Sequence, residues 1–383
     1  MRNPLTGLVL LLAAATVLSG CTDTRVQTAA AEAMRKGGDN RTGEYFPAPE
    51  GWWKDAPEHD EVYRWGQGSG VVADGPDRIL VGFTGDRGRP GVEIPRLARN
   101  MVVEFDADGN VSQRWSQWDT LIGFPHQLYI SPYDPERHIW IVDRGGGPHN
   151  VHEQILKFTN DGSELVMRLR DPNPRQSDEV VLANQPPGPL DFGQAAVLAF
   201  FPNGDFVVGD GYQNGRIARY SVGGDFISQF GEPGKDSPGQ FDLIHGIAID
   251  RDRRIYVSDR DNDRIQVFTE NGEFIEEWPD IKGPTGIYID ENERVWVMST
   301  TLNQVSQFSM DGYLEYQFGA YCCTRGGFNG GFSRPHQMNV DADGNLYVAN
   351  FDGGYITKYT PRPDADPNKL VGQPMLMQGR ATD

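Results

Sequence analysis

Three histidines in similar surroundings are the residues of this chain with the clearest potential for chemistry. His126, His245 and His336 each stand at the start of a short apolar run, and in two of the three cases a proline precedes the histidine. Three neutral imidazole nitrogens with one open position are the ligand set of a catalytic Zn²⁺, and other divalent transition metals also accept it. Because the histidines lie far apart in the chain, such a site requires a fold that brings them together.

A repeated unit of four short β-rich runs could do this. Its clearest copy spans residues 243–278, where Asn271-Gly272 between two runs is typical of a hairpin turn. Six copies can be recognised along the chain, and 46 glycines and 26 prolines suit many short strands and turns. The pattern predicts an all-β fold, a six-bladed β-propeller. The sixth copy lacks a fourth strand, so we predict that Glu61–Gly66, an N-terminal strand, pairs into the last blade and closes the ring.

The histidines occupy the same position in alternate copies of the repeat. In chain order, that position holds Ser69, His126, Ala196, His245, Thr285 and His336. Copies in a six-fold ring are about 60° apart, so three alternate imidazoles would converge on the axis while the small residues leave them room. A single histidine is more often a hydrogen-bonded structural residue, and that alternative stays open for each one alone. The remaining histidines lie outside this register: His59, His138, His149 and His152.

Residues that follow the second strand of a unit should share a mouth of the propeller with the histidines. Arg144, Tyr212 and Arg260 are in this position. A tyrosine can serve as an acid or base beside a metal, and an arginine can bind a carboxylate with two hydrogen bonds. Each of them alone could equally be a rim residue without a role. The aspartates that precede them, such as Asp210 and Asp259, are interpreted as turn-fixing residues.

The stretches 209–217, 226–232, 238–241 and 257–266, together with the two proline–histidine pairs, resemble peptidyl-α-hydroxyglycine α-amidating lyases, and the repeats resemble the NHL type more than WD40. The resemblance implies zinc held by His126, His245 and His336, with Tyr212 as catalytic base and Arg260 as active-site arginine. It also implies a reaction that splits a carbinolamide into an amide and glyoxylate.

Three departures from that family are visible. Its first-blade arginine has no counterpart in residues 81–87, where only Arg87 could substitute as a substrate-binding residue beside Arg144. The aspartate that follows the third histidine, a structural Ca²⁺ ligand in the family, is Gln337, so calcium is only weakly indicated. A cysteine of the family is replaced by Gln213, which removes one disulfide.

The N-terminus predicts export. Arg2, an apolar run over 8–18 and the ending Leu18-Ser19-Gly20-Cys21 resemble a lipoprotein signal peptide. We therefore predict a signal peptide at 1–20, a lipidated Cys21 with a flexible tether over 21–58, the propeller over 59–362 and a C-terminal tail over 363–383. The protein would then be extracytoplasmic and anchored to the bacterial envelope, facing the periplasm, with the outer membrane as one destination. An ordinary secretory peptide is the alternative.

Composition narrows the partners. A net charge of −19 disfavours nucleic acid and anionic membrane surfaces as partners. This leaves a small carboxylate-bearing or peptide substrate, with the membrane reached only through the lipid.

Cys322 and Cys323 are either idle thiols or a vicinal disulfide. The alternative function is a non-catalytic propeller that binds a protein, peptide or glycan. Calcium-dependent lactone or ester hydrolysis fits less well, because that ion requires oxygen ligands at the axis.

Overall fold

The predicted architecture is confirmed by the computed structural model, which describes residues 40–48, 52–89, 91–172, 187–320, 330–352 and 354–377. Six four-stranded antiparallel sheets form the blades of a propeller. Within the described ranges, no helix is long and apolar enough to cross a membrane. The predicted signal peptide, Cys21, Cys322 and Cys323 lie outside the described residues.

Each blade runs from an inner first strand at the axis to an outer strand at the rim. Blades 1 and 2 consist of Gly68–Gly75, Arg78–Phe83, Val102–Phe105 and Val111–Arg114, then Pro125–Ile130, Ile139–Asp143, Gln154–Phe158 and Leu165–Leu169. Blades 3 and 4 consist of Val197–Phe200, Phe206–Asp210, Arg216–Tyr220 and Phe226–Phe230, then Ile244–Ile249, Ile255–Asp259, Arg264–Phe268 and Phe274–Trp278. Blades 5 and 6 consist of Pro284–Ile289, Val295–Ser299, Gln304–Phe308 and Leu314–Phe318, then Pro335–Val340, Leu346–Asn350, Tyr355–Pro361 and Tyr45–Pro47.

Shorter elements join the blades. Two-stranded pairs form between Tyr63–Arg64 and Arg87–Gly88, and between Glu232–Pro233 and Gln240–Phe241. In the part of the chain that the structure describes, three short 3-10 helices cover Ser116–Trp118, Arg260–Asn262 and Pro367–Lys369.

The core lies between neighbouring blades. All residues of the inner strands Ile244–Ile249 and Ile255–Asp259 are buried, whereas the rim strand Phe226–Phe230 is largely exposed. Side chains of blade 3 such as Val207 pack directly on side chains of blade 4 such as Val257. This face-to-face burial of apolar strands stabilises the ring and holds the first strands around the axis.

Closure by an N-terminal strand is confirmed, but the strand differs from the predicted one. Tyr45–Pro47 pairs antiparallel with Tyr355–Pro361 in blade 6. The predicted segment, Glu61–Gly66, instead pairs at Tyr63–Arg64 with Arg87–Gly88. The reason lies in its aromatic residue: Trp65 is buried in blade 1, stacked on Phe83 at 4.8 Å, so this segment is committed to the side of blade 1.

The predicted tether boundary at residue 58 is also wrong, since residues 40–48 and 52–58 belong to the folded domain. The Tyr45 ring is fully buried between Phe318 and Tyr359, with centroid distances of 5.8 and 6.3 Å. Further along, His59 lies between Asp55 and Asp86, with nitrogen–oxygen distances of 3.1 and 3.0 Å. Burial opposes the charge of His59, but the hydrogen bonds that its ring donates to the carboxylates of Asp86 and Asp55 outweigh burial and raise its pKa. This ion pair fastens the segment to blade 1.

The C-terminal residues 367–377 pack on the propeller as a strap, where the sequence predicted only a tail. The backbone N–H of Met375 donates to the Ile289 carbonyl at 3.0 Å, and that of Met377 donates to the Tyr133 hydroxyl at 2.9 Å. These contacts lie at the far ends of the first strands, opposite the histidines. The strap closes that end of an axial cavity of about 200 Å³.

The strap should contribute measurably to stability through two of its side chains. Met375 and Met377 are each 6% exposed, whereas Leu376 between them is 56% exposed. We expect Met375→Ser or Met377→Ser to lower the free energy of unfolding by about 2 kcal/mol or more, because each leaves a cavity lined by apolar atoms. Leu376→Ser is the matched control, with an expected change below about 0.5 kcal/mol. Urea unfolding followed by tryptophan fluorescence measures both, and equal losses in all three variants would contradict the packing described here.

Candidate metal centre

The three histidines predicted as ligands converge on the propeller axis. Their ring centroids are 4.9 Å (His126–His245), 4.6 Å (His126–His336) and 4.8 Å (His245–His336) apart. The nitrogens that could bind a metal all lie within 4.8 Å of one another. The first two rings are fully buried and the third is 5% exposed. Transition-metal bonds to nitrogen are about 2 Å long, so one ion can reach all three rings after small side-chain shifts.

A β-bulge aims each histidine inward. In blades 2, 4 and 6 the pairing between the first and second strands skips one residue, and in each case the skipped residue is the histidine. A bulged residue leaves the strand ladder and its side chain is redirected. The repeat therefore places the histidine, and the local backbone irregularity turns it towards the axis.

The lead-in segment of each histidine is fixed by the residue that ends the second strand of the same blade. Asp143 Oδ1 accepts the N–H of Phe124 at 2.7 Å, and Asp259 Oδ1 accepts that of Asp242 at 2.7 Å. In blade 6 the side chain of Asn350 does the same for Ser333 at 2.8 Å. The structural interpretation of these aspartates is thus supported, because they hold the chain just ahead of the first strand.

The small residues at alternate repeat positions orient the imidazoles. Each histidine directs Nδ1 at the backbone carbonyl of the small residue in the next blade, and a carbonyl can only accept a hydrogen bond. Nδ1 therefore carries the proton, and the Nε2 lone pair is left free at the axis. The pairs are His126 with Ala196 at 2.7 Å, His245 with Thr285 at 2.8 Å and His336 with Ser69 at 2.6 Å.

Burial also keeps these rings neutral. It lowers the pKa of His126 and His245 well below the usual value, and it lowers the pKa of His336 to about 4. Neighbouring positive charge, including Arg260 and Arg144, acts in the same direction. At neutral pH the three Nε2 atoms are accordingly unprotonated, which metal binding requires.

Tyr212 reaches the histidines from the mouth. Its hydroxyl is 3.1 Å from Nε2 of His126 and 3.1 Å from Nε2 of His245. The Arg144 guanidinium lies over its ring, 4.2 Å from the centroid, and is held there by a 3.0 Å hydrogen bond from Nε to Gln194. The sequence placed Tyr212 and Arg144 at this mouth, and the structure brings both to the site.

The other two predicted arginines differ in position. Arg260 begins a 3-10 helix, is half-buried, and donates from Nε to Asp261 at 2.8 Å. Its charge contributes to the lowered pKa of His245 and His336, so it acts on the site electrostatically. The guanidinium of Arg87 lies against Gly354, in the turn that follows the second strand of blade 6 and therefore on the mouth side of the propeller.

Two phenylalanines at the mouth were not singled out from the sequence. Phe351 stacks on the His336 ring at 5.2 Å and 23°, and Phe124 lies 6.0 Å from the His126 ring. A signal for Phe351 was present, because it follows the second strand of blade 6 as Arg144 follows that of blade 2. For Phe124, adjacent to Pro125, only the three-dimensional path of the chain reveals its position.

Gln337, which replaces the calcium-binding aspartate of the resembled family, links three blades. Its Oε1 accepts the N–H groups of Val71 at 3.0 Å and Leu128 at 3.1 Å, and its Nε2 donates to the Leu128 carbonyl at 2.7 Å. Calcium requires several oxygen ligands, and this amide oxygen is already shared by two donors. These contacts do not favour the weakly indicated structural calcium.

With the geometry established, comparison with known proteins places the chain among propellers. The family model described as NHL repeat matches residues 241–268, which overlap the clearest copy found in the sequence. The chain contains an NHL repeat. Among curated proteins, NHL repeat-containing protein 3 of Mus musculus is 26% identical over 281 residues, covering 71% of this chain and 74% of that protein.

Relatives named as amidating enzymes also match this chain, which confirms the resemblance predicted from the sequence. Peptidyl-alpha-hydroxyglycine alpha-amidating lyase 1 of Drosophila melanogaster is 27% identical over 291 residues, 69% of this chain and 49% of that protein. Peptidylglycine alpha-amidating monooxygenase of Rattus norvegicus is 23% identical over 363 residues, 86% of this chain. The alignment covers 35% of that rat protein. Among solved structures, a streptogramin B lyase matches with a TM-score of 0.51 at 13% identity, over 80% of this chain and 96% of its own, and this likeness shows the fold alone.

Proposed function

We propose that the protein is a metal-dependent lyase that cleaves the C–N bond of a carbinolamide bearing a carboxylate. The proposal depends on one observation above all: three buried imidazoles present unprotonated Nε2 atoms to one point, with the Tyr212 hydroxyl 3.1 Å from two of them. Distant relatives named as amidating lyases support this choice of reaction.

The residues present fit a divalent transition metal, with Zn²⁺ as the first candidate. His126, His245 and His336 would hold it, each oriented by a hydrogen bond from Nδ1 to a backbone carbonyl. When bound, the ion would act as a Lewis acid that lowers the pKa of a substrate hydroxyl. The donor set is that of a site with an open position, because the protein offers three nitrogens and the mouth lies beyond them.

Tyr212 would move the proton. As the phenolate, its Oη would accept the proton of the substrate hydroxyl, the oxygen's electron pair would form the C=O bond of glyoxylate, and the electrons of the C–N bond would leave with the nitrogen. The departing nitrogen then takes the proton from Tyr212 to give the primary amide, so the tyrosine is regenerated and no oxidant or reductant is consumed. The Arg144 guanidinium lies 4.2 Å from the centroid of the Tyr212 ring, and this cation–π contact holds the ring beside the histidines.

The substrate carboxylate would be bound by the arginines of the mouth. Arg144 lies over the Tyr212 ring and Arg260 follows the second strand of blade 4, and a guanidinium can hold a carboxylate through two parallel hydrogen bonds. This arrangement would orient the carbinol carbon between the three imidazoles and Tyr212.

The decisive assay uses the metal-loaded protein and an N-acyl-α-hydroxyglycine, with glyoxylate measured over time. We expect glyoxylate formation that is proportional to protein and stopped by a chelator. A metal-loaded protein that forms glyoxylate no faster than buffer would refute the lyase. It would instead favour a non-catalytic binding propeller, the second candidate, which is consistent with relatives named only for their NHL repeats.

The proposal includes an extracytoplasmic location through a lipid on Cys21, which rests on residues 2–21 of the sequence. Labelling with radioactive palmitate in a bacterial host should mark the protein, and Cys21→Ser should remove the label. An unlabelled wild-type chain would argue for an ordinary secretory peptide.

A further inference from the structure

We infer that the site selects substrates whose acyl group, next to the scissile nitrogen, is aromatic, and that Phe124 and Phe351 form the surface that binds it. The inference names the substrate class of the proposed lyase and therefore rests on that proposal. It is carried by a pair of phenyl rings that cover one side of the metal centre.

The two rings lie directly against the ligand histidines. Phe351 is nearly parallel to the His336 ring, with a centroid distance of 5.2 Å. Phe124 is 6.0 Å from the His126 ring and 6.2 Å from Phe351. Both phenylalanines are half-buried, so part of each ring faces the mouth. A flat group bound above the histidines would contact both rings.

The pair occupies the side of the mouth that belongs to blade 1. Blade 1 lies between blade 6, which carries Phe351, and blade 2, which carries Phe124. The Ser69 hydroxyl donates to the carbonyls of Gly82 and Pro125, and a Cβ at Gly82 would lie 3.1 Å from the Pro125 carbonyl oxygen. This side presents the two rings, with the Arg87 guanidinium against Gly354, three residues after Phe351.

Positive charge is arranged around the rings. The Arg144 guanidinium lies between Phe124 at 5.3 Å and Tyr212 at 4.2 Å. Arg334 lies 5.8 Å over the Phe351 ring and pairs with Asp352 at 3.3 Å. A ligand with a ring close to a carboxylate matches this layout, because the ring can lie on the phenylalanines while the carboxylate reaches an arginine. A ligand with only a methyl group beside the carboxylate would leave the rings in water.

Two substrates that differ only in the acyl group test the inference: N-benzoyl-α-hydroxyglycine and N-acetyl-α-hydroxyglycine. We expect kcat/KM to favour the benzoyl compound by about tenfold or more, as a stacked aromatic contact and the buried ring area together suggest. Phe351→Leu should reduce this preference about tenfold. The matched control is Phe226→Leu on the exposed rim strand of blade 3, which should keep the preference of the wild type.

A binding measurement separates this inference from the lyase itself. Calorimetry on the zinc-loaded protein should show benzoate binding about tenfold more tightly than acetate, and Phe351→Leu should remove the difference. If benzoate is preferred through Phe351 but neither substrate yields glyoxylate, the lyase fails and the aromatic site stands. Equal affinities for benzoate and acetate in the wild type, or a preference that survives in both Phe351→Leu and Phe124→Leu, would overturn it. Metal content of each variant confirms that the centre is intact.

Discussion

Replacing His126 with alanine is expected to abolish metal retention, from about one divalent transition ion per chain to less than a tenth. The three imidazoles provide the protein ligands that the structure brings together at the axis, and two nitrogens hold such an ion far less firmly than three. Loss of an outer partner of a metal ligand already costs about 10- to 100-fold in affinity, so loss of the ligand itself should cost more. Inductively coupled plasma mass spectrometry after dialysis measures the bound metal directly.

The control is His149→Ala, which removes an exposed histidine that lies outside the repeat register. This variant should retain metal as the wild type does. Circular dichroism of both variants verifies that the β fold is kept, because the blades do not depend on one buried imidazole for their packing. Full metal retention by His126→Ala, or an unmodified protein that retains no transition metal, would contradict the centre.

The sequence was informative about this site because the fold is a repeat. Aligning copies converts distance along the chain into angle around a ring, so His126, His245 and His336 could be placed at one axis without coordinates. The same alignment placed Tyr212 and Arg144 at the same mouth. What it could not supply was the bulge at each histidine or the carbonyl that orients each Nδ1, since both depend on backbone pairing between strands.

The errors have the same origin: they lie where the repeat stops. The closing strand, Tyr45–Pro47, is three residues long and has no hairpin partner beside it in sequence, so pattern alone favoured Glu61–Gly66. Two tertiary contacts decide which segment closes the ring. Tyr45 fits a pocket between Phe318 and Tyr359, and Trp65 is buried in blade 1. The strap over the far end of the axis was missed for the same reason, because Met375 is buried only against strands that are distant in sequence.

For residues in loops, the sequence predicted either the position or the chemistry, but not both. Phe351 occupies a repeat position that elsewhere carries Arg144, so its place near the mouth could be read from the alignment, but its function could not. For Arg87 the residue type suggested a replacement for the missing arginine, but its position could not be predicted. Its strand pairs with Arg64, and its guanidinium lies against Gly354. In an insertion, residue type predicts chemistry only after the backbone has determined where the side chain points.

Substituting Tyr212 by phenylalanine should lower kcat for carbinolamide cleavage by about 10²- to 10⁴-fold while the metal stays bound. The change removes one oxygen atom, the one placed 3.1 Å from Nε2 of His126 and of His245. The aromatic ring remains under the Arg144 guanidinium, so the packing of the mouth is preserved. Because the tyrosine is proposed to carry the proton from oxygen to nitrogen, its loss should act on the chemical step rather than on substrate affinity.

Three measurements distinguish this role from a structural one. Metal content should remain near one ion per chain, benzoate affinity should stay within about twofold of the wild type, and the loss of activity should appear in kcat rather than in KM. Tyr313→Phe, which changes an exposed tyrosine on blade 5, should leave all three unchanged. If Tyr212→Phe instead raised KM at constant kcat, the hydroxyl would only help to bind the substrate, and the proton would have to be carried by another group at the mouth. Retention of full activity would remove Tyr212 from the mechanism altogether, because this substitution takes away only the hydroxyl oxygen that is proposed to carry the proton.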